Sequence, residues 1–352
     1  YYPTTTRLNV PRVDYLNNAN GSLLLEPQRT NLIPYSEAFD NAAWAKEDLS
    51  VSANATTSPD GATNADLLLP NTNNIDHSIY DTTNIATEAF TVFLKAGGYN
   101  YAFLGANNNV AADGAFFDLA NGVVSQNTST LSASIEDYGN GWYRCSLFGS
   151  FAGVYRIICT SENGTSFIHA GDGIKGVYAW GAQVEAGSYA TSYIPTSGTT
   201  VTRNSDTCSA TGLSNVIGQT EGTVYCESNY LFPSGTRTIA NLYTSGSSFY
   251  QIYLTSSNQI RVDVNGVLLL LSSAIDLTTN NKIAFTYKSG ENALYVNGVS
   301  LATSTSTSVP SSLNDFYLGT LFNGGEHSGS FKQAQLYKTR LTNTELATLT
   351  TL

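Results

Sequence analysis

The chain has 352 residues, of which only 12% are charged, with a formal net charge of −11. That length allows two domains, each with its own core, while the acidic balance and the singly scattered Lys and Arg exclude a nucleic-acid binder and a protein held to anionic membranes. The longest aliphatic run, 267–271, is too short to span a bilayer, so no membrane insertion is expected.

Residues 1–34 lack helical periodicity and carry Pro3, Pro11, Pro27 and Pro34. They are expected to form a short extended N-terminal arm or connector. A short strand at 22–25 is expected there, lying on the first module or joining it to a preceding part. The Tyr1-Tyr2-Pro3 start and the absence of Met fit a piece of a longer or processed protein.

From 35 to 195, short β-type runs alternate with turns rich in Asn, Asp and Gly. Strands are expected at 49–53, 66–69, 76–80, 90–96, 101–105, 115–118, 131–137, 142–148, 155–160 and 175–184. Phe90-Thr-Val-Phe-Leu-Lys95 and Trp142-Tyr-Arg-Cys-Ser-Leu147 alternate as half-buried strands do. The run 177–184 reads as the buried final strand of this module. After it, 188–205 has almost no charge and nine Ser or Thr, so it is expected to run extended across a surface, with 196–206 as a linker.

From 207 to 352 the same grammar returns, with strands expected at 223–230, 237–244, 249–255, 259–264, 267–271, 281–287, 291–296, 315–318 and 329–337. Val264-Asn-Gly-Val267 and Val296-Asn-Gly-Val299 place Asn-Gly where a two-residue type I′ hairpin needs positive φ twice. Thr342 ahead of Glu345 predicts one short terminal helix. Many short strands at this spacing predict an all-β chain, two jelly-roll-type β-sandwich domains in tandem.

Two resemblances extend this reading. Leu23-Leu-Leu-Glu-Pro-Gln-Arg-Thr-Asn-Leu32 and Tyr35-Ser-Glu-Ala-Phe-Asp-Asn-Ala-Ala-Trp44 are followed by Pro59-Asp-Gly61 and Gly139-Asn-Gly-Trp-Tyr-Arg144. Trp180-Gly-Ala-Gln-Val-Glu185, Tyr189-Ala-Thr-Ser-Tyr-Ile-Pro195 and Val201-Thr-Arg203 complete the set. Together, over roughly the first 206 residues, they resemble a segment of bacteriophage structural and tail-associated proteins. That segment leads a jelly-roll module resembling carbohydrate-binding modules. Leu294-Tyr-Val-Asn-Gly298, Phe316-Tyr-Leu-Gly319 and Phe331-Lys-Gln-Ala-Gln-Leu-Tyr-Lys-Thr-Arg-Leu341 are similar to the closing pattern of concanavalin A-like or laminin-G-like sandwiches. That second likeness covers nearly all of 207–352. It implies a ligand-binding domain, usually for glycans, often with calcium at the sandwich rim.

For catalysis the residues offer little. His77, His169 and His327 stand in no nucleophile elbow or zinc helix, and no phosphate loop is present. Glu47-Asp48 and Glu136-Asp137 are sequence neighbours, which on strands point to opposite faces. The chain is therefore read as non-enzymatic.

Calcium is the metal its loop oxygens suit, with Asp60, Asp66 and Glu185 as the candidate ligands. The plainer reading of Pro59-Asp-Gly is a turn whose carboxylate accepts from nearby amides, and Asp172 has the same two readings. Glycan binding would use Tyr80, Tyr99 and Tyr101 in the first module. In the second, Tyr230, Arg237, Phe322, Asn323, Glu326 and His327 could form a rim pocket, although a lone loop His is more often simply solvated. Trp142 and Trp180 fall in strand cores by pattern.

The expected role is a virion component, extracellular, whose partners are a cell-surface glycan or other virion proteins. A homo-oligomer, trimeric by analogy, is expected without any heptad seam to drive it. The alternatives are a decorating structural protein with no glycan ligand and a fragment of a polysaccharide-degrading virion enzyme.

Overall fold

The computed structural model describes residues 11–15, 19–81, 88–106, 114–127, 131–150, 155–159, 163–166, 168–230, 236–244, 248–276, 279–319 and 329–352. The described chain is nearly all strand, with one helix among these residues, Asn343–Thr350, and its strand ladders are antiparallel. It divides into two compact units, one built on Arg29–Asn204 and the other on Ser205–Leu352 together with Leu8–Gln28.

In the first unit, one sheet runs in the order Ser132–Asp137, Trp142–Gly149, Glu88–Gly97, Gly176–Ala186, Thr63–Pro70, Leu49–Thr57. The other runs Val123–Asn127, Gly114–Asp118, Tyr101–Ala106, Tyr155–Cys159, Asn74–Asp81, Ile168–Ala170, with Ala45–Glu47 also on Asn74–Asp81. Alternation decides which side chains fill the space between them. Phe90, Val92 and Leu94 share one face with Cys145, Leu147, Val177 and Ala179 and pack on Ala102, Leu104 and Phe117. The opposite parity sends Phe93, Trp142 and Trp180 to the outer face.

Gly181, at φ 62°, breaks that rhythm. The register slips between Trp180 and Gln183, as at a glycine bulge, so Ala182 and Val184 return to the inner face. The segment after this strand crosses the outer face as expected. Tyr193 is fully buried, its ring 4.7 Å from that of Trp180. Ile194 N–H donates to Gln183 Oε1, and Asn31 Nδ2 donates to Ala182 O and Ile194 O. Residues expected as linker are thus partly sheet, Val201–Arg203 pairing with Arg29–Asn31.

The second unit pairs a seven-stranded sheet with a six-stranded one. The first has the order Val13–Asp14, Ser22–Leu25, Gly329–Tyr337, Glu221–Tyr230, Asn281–Lys288, Asn292–Val296, Val299–Ser304. The second runs Cys208–Ala210, Asp315–Leu318, Arg237–Tyr243, Phe249–Leu254, Gln259–Val264, Val267–Ala274. Both predicted hairpins form, with Asn265 and Gly266 at φ 52° and 80°, and Asn297 and Gly298 at 50° and 83°. The predicted helix forms too. Thr342 caps it in a reciprocal box with Glu345, and Leu346 is buried against Tyr225, Ala284, Ala293 and Tyr295.

The arm departs from expectation. The strand Ser22–Leu25 exists, but it adds to the second unit, with Leu23 opposite Phe331 and Leu25 opposite Gly329. Apolar burial explains the choice, since Leu25 and Phe331 share the second core. Charge reinforces it. Arg12 Nη2 lies 2.6 Å from Glu26 Oε2, and Nη1 donates to Asp206 Oδ2. The backbones of Glu26 and Asp206 are clipped as well, Asp206 N–H donating to Glu26 O at 2.9 Å.

Candidate functional site

The three carboxylates proposed for calcium do not gather. Asp60 accepts from Ala62 N–H and Ser58 Oγ–H, which is the turn reading. Asp66 is buried and accepts from the amides of Phe39 and Asn54, both at 2.9 Å. Glu185, also buried, accepts from Thr191 N–H at 2.8 Å and from Thr191 Oγ1–H. Asp66 sits opposite Ala179 on the closing strand, whereas Glu185 lies six residues further along, roughly 20 Å at strand rise. Burial pushes the carboxyls of Asp66 and Glu185 above the usual range. Strand-to-loop hydrogen bonding thus occupies oxygens a hard cation would need, and the set does not fit calcium. Asp172 is likewise a turn residue, accepting from Ile174 and Lys175 amides.

The aromatic candidates also disperse. Tyr99 is 8% exposed within the first core, edge-on to His169 at 5.1 Å. Tyr230 is 4% exposed in the second core. Neither can present a ring face to a sugar. Tyr80 is half-buried and donates to Glu47 Oε1 at 3.1 Å. Tyr101 is half-buried too, and Tyr80 aligns through Arg156 with Gly105, four residues from Tyr101, roughly 13 Å along the strand. Arg237 is half-buried, with Nη1 donating to Thr236 O at 3.4 Å. Phe322, Asn323, Glu326 and His327 lie outside the described residues.

Two histidines occupy structural positions. His77 is fully buried, with Nδ1 2.7 Å from Asp48 O and Nε2 3.1 Å from His169 O. Asp48, at φ 50°, turns the chain between Ala45–Glu47 in one sheet and Leu49–Thr57 in the other. The imidazole therefore ties a sheet-to-sheet crossing to the edge strand Ile168–Ala170. Cys145, Cys208 and Cys226 are free thiols, and burial raises the pKa of Cys226 to about 12. Among the described residues, no group of three or more His, Cys, Asp or Glu could hold a metal ion.

What the structure brings together is a polar cleft of about 420 Å³ in the second unit. It lies where the turn Gly290–Glu291, the end of Val299–Ser304 and the start of the helix converge. Its lining includes Glu291, Asn292, Thr303, Ser304, Thr305, Arg340 and Asn343. Asn292 shares strand parity with the core residues Leu294 and Val296, yet is polar and 2% exposed. Its Nδ2 donates to Ser304 O at 3.2 Å and Ser306 O at 2.9 Å, which fixes the orientation of the amide. Its Oδ1 is buried and has no hydrogen-bond partner.

Arg340 closes one wall. Its Nε donates to Glu291 O, Nη1 to Leu341 O and Nη2 to Asn343 Oδ1, each at 3.0 Å. The Glu291 carboxylate is 56% exposed, 3.6 Å from Arg340 Nε and 4.0 Å from Lys288 Nζ. From the sequence, 291–296 reads only as a strand and Arg340 only as part of the block 331–341 that resembles the sandwich's closing pattern. The one legible signal was Asn292 in an inward position of an otherwise apolar strand.

No curated protein matches the chain. Among solved structures it is similar to the Ruminococcus gnavus IT-sialidase CBM40 bound to alpha2,3 sialyllactose, at 16% identity and TM-score 0.35, covering 41% of this chain and 96% of that one. It is similar to the SAP-like pentraxin from Limulus polyphemus, at 17% identity and TM-score 0.32, over 38% and 71% of the two chains. The NanB sialidase from Streptococcus pneumoniae gives 18% and 0.33, over 40% of this chain and 26% of that one. Likeness at this level assigns no ligand. Residues 214–347, within the second unit, match the family model described as the Concanavalin A-like lectin/glucanases superfamily.

Proposed function

We propose that this chain is a non-enzymatic, glycan-binding component of a bacteriophage virion, a tail or fibre part that attaches to the bacterial surface. The observation that carries the glycan reading is the lectin-superfamily match over 214–347, on a two-sheet antiparallel sandwich. The virion reading is supported by the ordered blocks from Leu23 to Arg203 that resemble phage tail-associated proteins. A low-charge surface of Ser, Thr, Asn and Tyr suits both.

The test is binding of the purified chain to a glycan array and to intact bacterial cells, with and without EDTA. Saturable binding to both supports the proposal, and no binding to either overturns it. Binding abolished by EDTA would bring a cation into recognition, drawn from residues other than Asp60, Asp66 and Glu185.

A second reading, a decorating structural protein with no glycan ligand, draws on a different observation. The edge strand Val267–Ala274 carries no charge and exposes Val267, Leu268 and Leu271, a surface suited to protein contact. Assembly into a defined oligomer by light scattering, with a blank glycan array, is the outcome that favours it.

A further inference from the structure

We infer that Asn140, in the turn Gly139-Asn140-Gly141, is a site of spontaneous deamidation, and that among the Asn-Gly pairs the structure describes it is the one that converts in the folded chain. The inference is independent of the glycan and virion readings.

The chemistry needs two atoms to meet. The backbone nitrogen of the residue after an Asn attacks the side-chain Cγ, a five-membered imide closes, and the Cγ–Nδ2 bond breaks. The nitrogen's proton leaves with the amide as ammonia. Water then opens the ring at one carbonyl or the other, giving Asp or isoaspartate. A glycine in second place shields its nitrogen least, so every Asn-Gly pair is a candidate. The chain has seven, beginning at 20, 121, 140, 163, 265, 297 and 323. Folding decides among them, because the amide must leave its partners and the backbone must be able to turn.

The asparagine side chains are the first criterion. Asn121 Nδ2 donates to Asp118 Oδ2 at 2.8 Å, and Asn163 Oδ1 accepts from the amides of Thr165 and Ser166. Asn265 Oδ1 accepts from Phe249 N–H at 2.9 Å. Asn297 is held at both ends, Oδ1 accepting from Lys282 N–H and Nδ2 donating to Asn281 Oδ1. Asn20 is engaged as well. Asn140 is exposed, and its side chain makes no hydrogen bond among the described residues. Asn323 lies outside them.

The glycines are a second, separate criterion. A Cβ on Gly21 would lie 2.4 Å from the Val13 side chain, and one on Gly122 or Gly164 would lie 2.6 Å from the ring of Tyr143 or Tyr101. Gly298 N–H donates to Thr350 Oγ1 at 3.1 Å. These backbones are hemmed in. Around Gly266 nothing comes within 4 Å, and around Gly141 only the stem of Lys95 does, at 3.6 Å. Gly266 fails through its Asn265, so Gly141 alone passes both tests. Gly139, Asn140 and Gly141 sit at φ 77°, 54° and 78°, and a glycine on each side in open space lets the turn rearrange toward attack.

The product falls at a sensitive place. The turn joins Ser132–Asp137 to Trp142–Gly149 and is closed by Tyr138 N–H donating to Trp142 O and Trp142 N–H donating to Gly139 O, both at 2.9 Å. Isoaspartate inserts a methylene into the backbone between Gly139 and Trp142. Either product adds a carboxylate beside that of Asp137, which already accepts from Gly139 N–H at 2.7 Å. Conversion therefore loosens this hairpin.

The experiment ages the full chain at mildly alkaline pH in water enriched in oxygen-18, native and in urea, and follows each Asn-Gly peptide by mass spectrometry. Asn140→Gln, a change at an exposed position, is aged alongside, and melting curves are taken before and after. In the native protein the Asn140 peptide is expected to gain labelled oxygen at least tenfold faster than those of Asn121, Asn163, Asn265 and Asn297. In urea the pairs should converge to within severalfold. The first-unit melt of the aged wild type should fall and broaden while that of Asn140→Gln holds. An Asn140 peptide that keeps its mass while another of these four converts overturns the assignment, and so does an order and spread in urea equal to that in the native protein. A melt of aged, converted wild type identical to the fresh one overturns the loosening of the hairpin.

Discussion

Glu185 and Asp66 show how a carboxylate's neighbours decide its role. Each accepts hydrogen bonds from a neighbouring segment, Glu185 from Thr191 just past its own strand and Asp66 from Phe39 and Asn54, and burial raises its pKa. A carboxyl with a raised folded-state pKa binds its proton more tightly folded than unfolded, so its contribution is fully present below the ordinary Glu range and declines as pH rises through the raised value. Relative to Glu185→Gln, the wild-type first unit is therefore expected to lose about 1.4 kcal/mol per pH unit within that window. Urea unfolding of both proteins between pH 4 and 8 measures it, and parallel curves would contradict it. At His77, His77→Ala removes contacts to two backbone carbonyls and is expected to cost about 2–4 kcal/mol, read as a lowered urea midpoint of the first unit. Little of this was legible beforehand. Asp60 in Pro-Asp-Gly carries its turn chemistry in three adjacent letters. Asp66 and Glu185 take theirs from Phe39, Asn54 and Thr191, which only the folded chain brings to them.

At the scale of elements the local code was clear. Asn265-Gly266 and Asn297-Gly298 turn as their dipeptides require, Thr342 and Glu345 start the helix, and the alternation in Trp142–Gly149 gives the two faces it promises. The hairpins still differ in context. A Cβ at Gly266 would meet nothing within 4 Å, whereas one at Gly298 would lie 3.3 Å from Thr351 Oγ1. Both positions have positive φ, so Gly266→Ala is expected to cost about 1 kcal/mol. Gly298→Ala should cost more, and calorimetric melting of the two variants gives the order. The arm was legible as a strand and illegible as to partner, because the pairing of Leu23 with Phe331 spans most of the chain and leaves no local mark. Arg12→Ala removes a guanidinium from a carboxylate that is 4% exposed. It is expected to lower second-unit stability by about 3 kcal/mol, with the first unit's unfolding transition unchanged.

Across the whole molecule, composition and turn spacing announced two β-sandwich units, and both are present. What they could not announce is the order of assembly. The second unit is begun by Leu8–Gln28 and finished by Ser205–Leu352, so the chain leaves it and comes back. The departing and returning segments are joined by the Glu26–Asp206 backbone bond of 2.9 Å, which sets the two ends of the first unit at one point. Such a unit is a cassette. Replacing 29–204 with a short Gly-Ser bridge should leave a chain that still folds, with Ser22–Leu25 in place and one cooperative melt. A polymer of aggregates instead would show that the clip depends on what it encloses. If the bridge folds, recombination can exchange what lies between Gln28 and Ser205 in a single step, giving the same sandwich a new companion with no break in its own sheets.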